Sequence, residues 1–167
     1  MTTIQEVFSK EEIAERVKDF AEKLNRSENV SNTSLVCVLT GGLYFFSDLS
    51  KLISKEVICD FVGYSSYHDN LQSSGVFTLD LSHDIKGRDV ILVDDIIDTG
   101  STAKALMAEL EKKGANSVRF LAVLGNVPVL KKDSRMEALF DHDGKWMCGY
   151  GMDNKGFDRQ GEDIVPI

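Results

Sequence analysis

Proline is nearly absent from this sequence: Pro128 and Pro166 are the two it has. That excludes a proline-rich linker and leaves helices and strands free to run uninterrupted. Cysteine is scarce as well. Cys37, Cys59 and Cys148 lack the paired spacing of a zinc site, and each lies in or beside an apolar run. They read as reduced, buried thiols rather than as a disulfide framework or as nucleophiles. No apolar stretch approaches the roughly 20 residues that cross a bilayer. Residues 1–6 show no basic patch ahead of an apolar block, so no secretory signal or membrane partner is expected, and the expected compartment is the cytoplasm. Positive charge is in deficit: 19 Lys and Arg stand against 27 Asp and Glu, a net charge of -8 with no long run of one sign. Nucleic acid, which needs a basic face, is disfavoured as a partner. Phosphorylated small molecules are not, because backbone amides and a metal ion bind them locally.

What is present is a globular balance of 43% hydrophobic and 28% charged residues over 167 positions. That suits one domain, 1–167, with a substantial core. Ser9-Lys10-Glu11-Glu12 reads as a capping box opening a helix, and Ile13, Val17, Phe20, Ala21 and Leu24 form its buried stripe. Residues 34–39 read as a strand ending in a tight turn at Gly41-Gly42. Phe45, Phe46, Leu49, Leu52 and Ile53 mark a second helix, and 57–64 and 76–81 two further strands. Between those strands, 65–75 is polar and rich in small residues, a candidate mobile loop. Val90-Ile91-Leu92-Val93 is a continuous apolar run suited to a central parallel strand, with a polar turn after it. Ala103, Leu106, Met107 and Leu110 give a helix stopped by Gly114, and 118–124 another strand. Asp143-Gly144 predicts a hairpin between 138–140 and 145–148. Strand and helix in alternation predict an α/β fold with a largely parallel sheet.

The chemistry concentrates in Val90-Ile91-Leu92-Val93-Asp94-Asp95-Ile96-Ile97-Asp98-Thr99-Gly100-Ser101-Thr102. Ligands of open α/β sheets bind at the carboxyl ends of strands. Thr99-Gly100-Ser101-Thr102 opens a helix, where free amides and the helix dipole favour an anion such as a phosphate monoester. Asp94 and Asp95 are acceptors for a ribose diol or for Mg²⁺ through water. Asp98, between the acids and the phosphate cup, is placed to exchange a proton with a ring nitrogen. A plain capped helix is the competing reading of Thr99-Gly100-Ser101-Thr102 alone. No P-loop pattern occurs.

The whole string resembles the signature of the type I phosphoribosyltransferases, and in particular of their purine-salvage branch. The resemblance implies that family's fold, a mostly parallel sheet flanked by helices with a mobile lid and a small base-binding C-terminal region, 126–167. It implies transfer of phosphoribosyl from phosphoribosyl pyrophosphate to a nucleobase, most simply hypoxanthine or guanine, with Mg²⁺ and in a homodimer or homotetramer. Asp94, Asp95, Ile97, Asp98, Thr99, Gly100, Ser101 and Thr102 would hold the donor's ribose and 5-phosphate, with Asp98 catalytic. Thr40, Gly41 and Gly42 resemble the pyrophosphate loop, joined by Arg159. Ser66 and Tyr67 resemble the serine–tyrosine pair of a lid at 65–75. Trp146 would stack on the base, Met147 would read its edge through the backbone, and Asp153 would join Asp94 and Asp95 at the metal.

Two positions depart from the family pattern. Thr40 stands where a lysine usually precedes Gly-Gly. The base-reading lysine, which donates to the exocyclic oxygen at position six, would fall near Gly125, with Asn126, Lys131 and Lys132 as nearby substitutes. Another base preference is thus an alternative, since an unmet buried acceptor costs about 1–3 kcal/mol. A donor-sensing regulator on the same fold is a second alternative. A phospho-receiver domain is a third, but it leaves Thr99-Gly100-Ser101-Thr102 and the C-terminal motifs without a use.

Overall fold

The computed structural model describes residues 7–27, 29–66 and 75–167. Helix α1, Lys10–Asn25, begins at the expected capping box. Ser9 accepts from Glu12 N, and the Glu12 carboxylate accepts from Ser9 N at 2.9 Å. It is followed by β1 (Thr33–Leu39), α2 (Leu43–Leu52), β2 (Ile58–Ser66), β3 (Gly75–Leu79), β4 (Asp89–Ile97), α3 (Ser101–Lys112), β5 (Ser117–Asn126), the short α4 (Val127–Leu130), β6 (Met136–His142), β7 (Met147–Cys148) and β8 (Val165–Pro166). Six strands form one sheet in the order β3-β2-β1-β4-β5-β6, parallel except for the antiparallel edge strand β3.

The helices take opposite faces of that sheet. The stripe of α1 and Phe45, Phe46 and Leu49 of α2 pack in one apolar cluster. Ala103, Leu106, Met107 and Leu110 of α3 pack in a second cluster on the other side. Both faces of β1 and β4 are therefore covered, which is why their cores are continuous apolar runs rather than alternating ones. Since α2 follows β1 on one face and α3 follows the adjacent β4 on the other, the chain parts at the carboxyl ends of these neighbours. That parting opens the crevice in which doubly wound sheets bind ligands. No described helix is long and apolar enough to cross a membrane.

Several expectations are corrected. The strand that starts at Val90 does not yield to a turn after Val93. It continues through Asp94, Asp95, Ile96 and Ile97, in register with Ala122, Leu124 and Gly125 of β5. Ser65, Ser66 and Gly75 belong to the β2–β3 pair rather than to a loop. Of the expected lid, Tyr67 and its neighbours to position 74 lie outside the described residues. The Asp143-Gly144 hairpin does not form. The turn itself is real, with Lys145 N donating to the Asp143 carboxylate at 3.2 Å. The chain nevertheless leaves the sheet there, because Met147 and Cys148 pair with Pro166 and Val165 instead of with β6. Cys59 is exposed, not buried, while Cys37 and Cys148 are buried and all three are free thiols.

Asp60 holds the return of the β2–β3 pair. Its carboxylate, buried on β2, accepts from Phe61 N (2.8 Å), Ser82 N (2.9 Å), His83 N (2.8 Å) and the His83 ring at 3.0 Å. Burial pushes its pKa up, but the amides of Phe61 and Ser82 and the His83 contacts outweigh it and hold the group below the usual carboxylate range. A depressed carboxylate stabilises the fold above its unfolded pKa, and that contribution is lost as pH falls through the folded value. Asp60→Ala, which orphans these donors, is expected to lower stability by about 2–4 kcal/mol at neutral pH. Urea unfolding followed from pH 7 into acid should show the gap between wild type and variant closing only below the ordinary carboxylate range.

Candidate active site

The site is built where β1 and β4 end. After β1, Thr40, Gly41 and Gly42 turn the chain into α2, with Gly42 N donating to Val38 O at 3.0 Å. Glycine at 41 lets the Asp95 carboxylate approach the turn, since a Cβ there would overlap it. The peptide bond between Leu39 and Thr40 is cis. At the end of β4 the Asp94 carboxyl is buried and accepts from Asp95 N at 2.8 Å. Burial, then the neighbouring Asp95 charge, push Asp94 well above the carboxylate range. Burial raises Asp95 as well, opposed in part by the Arg159 guanidinium. Cys37 beneath them is pushed up to about 12 by burial and by Asp94, so it is a thiol without nucleophilic character.

The C-terminal loop closes over this ground. Tyr150 OH donates to Asp48 of α2 at 2.8 Å, and a Cβ on Gly151 would overlap the Gly41 carbonyl. Arg159 donates to the Gly151 carbonyl and pairs with Asp153 at 3.0 Å. Asp153 also accepts from Gly156 N at 2.7 Å. The loop after β1, the end of β4 and the C-terminal segment thus meet around Asp95.

Beyond Ile97, Asp98 and Thr99 lead to Gly100, whose φ of 78° is the left-handed conformation that suits glycine. No side chain caps α3 in the way Ser9 caps α1, and its first turn has no acid. The Thr99 hydroxyl lies 2.9 Å from the Ser101 hydroxyl and accepts from Ser101 N at 3.3 Å. Apart from that one bond, this helix start has amides that meet no side-chain cap, an arrangement suited to an anion. It lines a cup of about 160 Å³ bounded by Ile96, Ile97, Asp98, Thr99, Gly100, Ser101 and Thr102. A second cavity of about 250 Å³ is walled by Asp95, Ile96, Asp98, His142, Trp146, Met147 and Asp153 among others. Ile96 and Asp98 belong to both. Trp146 is 82% exposed, so it is a wall of this cavity and no part of the core. A larger cavity of about 430 Å³ lies at the amino ends of β1, β4 and β5, lined by Thr33, Asp89 and Ser117 and by none of these residues.

Most of the expected site residues are thus brought together. Thr40, Gly41, Gly42 and Arg159 line neither cavity, Ser66 ends β2 away from both, Tyr67 lies outside the described residues, and Asp94 lies behind the cavity wall, because the buried strand continues through it. Among the described residues Asp94, Asp95 and Asp153 do not converge into one ligand cluster. None of the substitutes for the base-reading lysine lines the cavity. Lys131 and Lys132 are exposed beyond α4. A Cβ at Gly125 would lie 2.6 Å from Ala138 Cβ and 2.7 Å from Leu130 Cδ1, so that place is filled. His142 is a cavity residue that motif reasoning misses. A lone histidine carries no motif, although the burial of Phe140 two positions earlier puts it on the inward face of β6.

The chain matches the phosphoribosyl transferase domain family over residues 3–153. It is 36% identical over 153 residues to a hypoxanthine-guanine phosphoribosyltransferase of Streptococcus pneumoniae, covering 88% of this chain and 83% of that protein. A Lactococcus lactis protein of the same name is 36% identical over 151 residues, 87% of this chain and 80% of the other. Among solved structures, a hypoxanthine phosphoribosyltransferase of Staphylococcus aureus superposes with a TM-score of 0.86 at 27% identity, covering 98% of this chain and 90% of the other. The fold and the site define a type I phosphoribosyltransferase. The chain belongs to the phosphoribosyltransferase family and is an enzyme of phosphoribosyl transfer.

The contrast in thiol environments is directly measurable. A colorimetric thiol reagent is expected to modify Cys59 in the folded protein and to reach Cys37 and Cys148 only on unfolding. Rapid reaction of all three in native buffer would contradict the burial of the latter two.

Proposed function

We propose that this enzyme transfers the phosphoribosyl group of phosphoribosyl pyrophosphate to a 6-oxopurine, hypoxanthine or guanine, giving the nucleoside 5′-monophosphate and pyrophosphate. The observation that carries the reading is the pair of cavities joined at Ile96 and Asp98. One is an open helix start sized for a phosphate, the other an aromatic-walled slot for a flat base, and the sugar would span the residues they share. The names of the relatives support the choice of base.

In the reaction the bond from the anomeric carbon to the pyrophosphate oxygen breaks, and the electron pair leaves with the pyrophosphate. A bond from that carbon to a base nitrogen forms. The base's ring proton passes to a carboxylate, for which Asp98 stands at the junction. No protein nucleophile is required. The carbon carries oxocarbenium character, so catalysis comes from placement and from charge opposite the leaving group. The amides of residues 101–103 would grip the 5-phosphate, Asp95 the ribose hydroxyls, and the Gly41-Gly42 turn with Arg159 the pyrophosphate. Trp146 would cover the base.

The donor set fits Mg²⁺. Magnesium takes one or two carboxylates and completes its shell with water and substrate phosphate oxygens, rather than sitting in an all-protein cage. Asp95 and Asp153 on one cavity, without a third ligand beside them among the described residues, meet that description. These two residues would hold the ion, which when bound neutralises the leaving pyrophosphate.

Pyrophosphate release from donor and Mg²⁺, with hypoxanthine, guanine, xanthine and adenine in turn, tests the reading. Turnover is expected on the first two, and release with none of the four would sink it. Asp98→Asn is expected to keep donor affinity and to lose turnover by roughly 10²-fold or more in the same assay. Gly100→Val forces a left-handed position and brings a Cβ to within 2.7 Å of Val129 Cγ1. Calorimetry should show donor binding weakened by about 10-fold or more, because the phosphate cup is displaced.

A further inference from the structure

We propose that the His142 imidazole reads the six-position of the base, in place of a lysine from the end of β5. The inference rests on the phosphoribosyl-transfer reading and concerns the same cavity. His142 is the last residue of β6, only 4% exposed, and it lines the 250 Å³ cavity with Asp98, Trp146 and Met147. Its ring makes no hydrogen bond to a described side chain or backbone group, and no buried side-chain nitrogen or oxygen among the described residues is left without a partner or access. Its ring nitrogens therefore keep the opening of the cavity as their outlet. An aromatic heterocycle buried with unused hydrogen-bonding capacity is otherwise a cost to the fold.

Its place in the sheet fits the geometry of a purine. Ile97, Gly125 and Asp141 are level across β4, β5 and β6, and Asn126 is level with His142 one step further. Asp98 follows Ile97, so Asp98 and His142 occupy one row at the carboxyl edge, separated by the strand between. A 6-oxopurine presents N7 and O6 side by side on one edge, whereas adenine presents N7 and an amino group. With Asp98 addressing the ring nitrogen, the adjacent oxygen would meet the imidazole N–H. Burial holds this imidazole below the ordinary histidine range, against the opposing pull of Asp143 and Asp98, so it is a neutral donor–acceptor. Lys145 lines the same cavity, but it is exposed at the rim, with its Nζ 3.6 Å from Asp143.

The experiment compares His142→Phe, His142→Gln and Lys145→Met in the full chain, with hypoxanthine and guanine as probes and with donor affinity measured separately. His142→Phe keeps an aromatic plane and removes both ring nitrogens. It is expected to raise the KM for the base by about 10-fold to 100-fold while the donor's dissociation constant holds. His142→Gln, which restores a donor, is expected to recover most of that loss. Nitrogen NMR gives a readout that needs no variant, since the chain has three histidines. The His142 ring signal is expected to shift when the nucleoside 5′-monophosphate of hypoxanthine saturates the site. An unchanged base KM in His142→Phe, an effect found only in Lys145→Met, or a stationary His142 signal with nucleotide bound would each overturn the proposal. Wild-type protein that turns over no base at all would instead overturn the functional reading beneath it.

Discussion

Two adjacent carboxyl groups at the end of a covered strand, Asp94 buried and Asp95 half-buried, are the constraint around which this molecule is arranged. Asp94 and Asp95 sit where β4 leaves the sheet, and burial pushes both toward the neutral form. What offsets that penalty is in part local and in part supplied from the far end of the chain. The Asp95 amide serves Asp94, and the Arg159 guanidinium faces Asp95. Arg159 is itself fixed by the Gly151 carbonyl and by Asp153. Gly151 in turn is pressed against Gly41, which is pressed against Asp95. The loop after β1, the end of β4 and the C-terminal segment are interlocked through a single charged centre. A stable fold would gain from replacing such a centre by apolar residues. Its retention is intelligible when a ligand bearing cations and hydroxyls completes it.

The two cavities follow from topology rather than from loop length. With α2 on one face after β1 and α3 on the other after β4, the chain ends of adjacent strands separate without any irregular insertion. One strand end then serves two pockets. Residues 96–98 end the strand and leave it, line the 160 Å³ cup, and through Ile96 and Asp98 also reach the wall of the second cavity. A regulator that only sensed the donor would need the cup and the pyrophosphate loop. A second cavity walled by Trp146 would serve the flat second substrate that the proposed transfer requires.

The parts of the fold legible in the sequence are those with local causes. The capping box at Ser9, the 3.6-residue stripe of α1, the apolar run of β4 and the glycine-led start of α3 all act within a few residues, and each forms as expected. The departures are of long range. Nothing in Asp94-Asp95 reveals that β4 continues through them, because the pairing with Ala122 and Leu124 that keeps it extended lies across the sheet. Asp143-Gly144 carries a true turn signal, but a turn does not choose the strand that follows it. Val165 and Pro166, close to the other end of the C-terminal segment, make that choice. Cys59 sits in an apolar stretch yet faces out, since β2 packs its other side. Motif likeness finds the loop residues of the site, whose chemistry is local, and overlooks His142, whose role depends on what lies two strands away.

The loss of lysine near Gly125 is best understood through the charges that remain. The base cavity is bordered by Asp95, Asp98 and Asp153. An ammonium deep within it would be drawn to these carboxylates as well as to the base oxygen. At Gly125 the space is already taken by Leu130 and Ala138, so a side chain cannot return there without repacking α4 against β6. An imidazole on the next strand escapes both difficulties. It is neutral among the acids, it is fixed by burial rather than by an ion pair, and it presents one donor and one acceptor where lysine presents donors alone. The same property weakens the penalty against a 6-amino group, because the other tautomer accepts. A base site that read through His142 would therefore draw its preference for an oxygen from the rest of the pocket, where Ile96, Trp146 and Asp98 are the other walls.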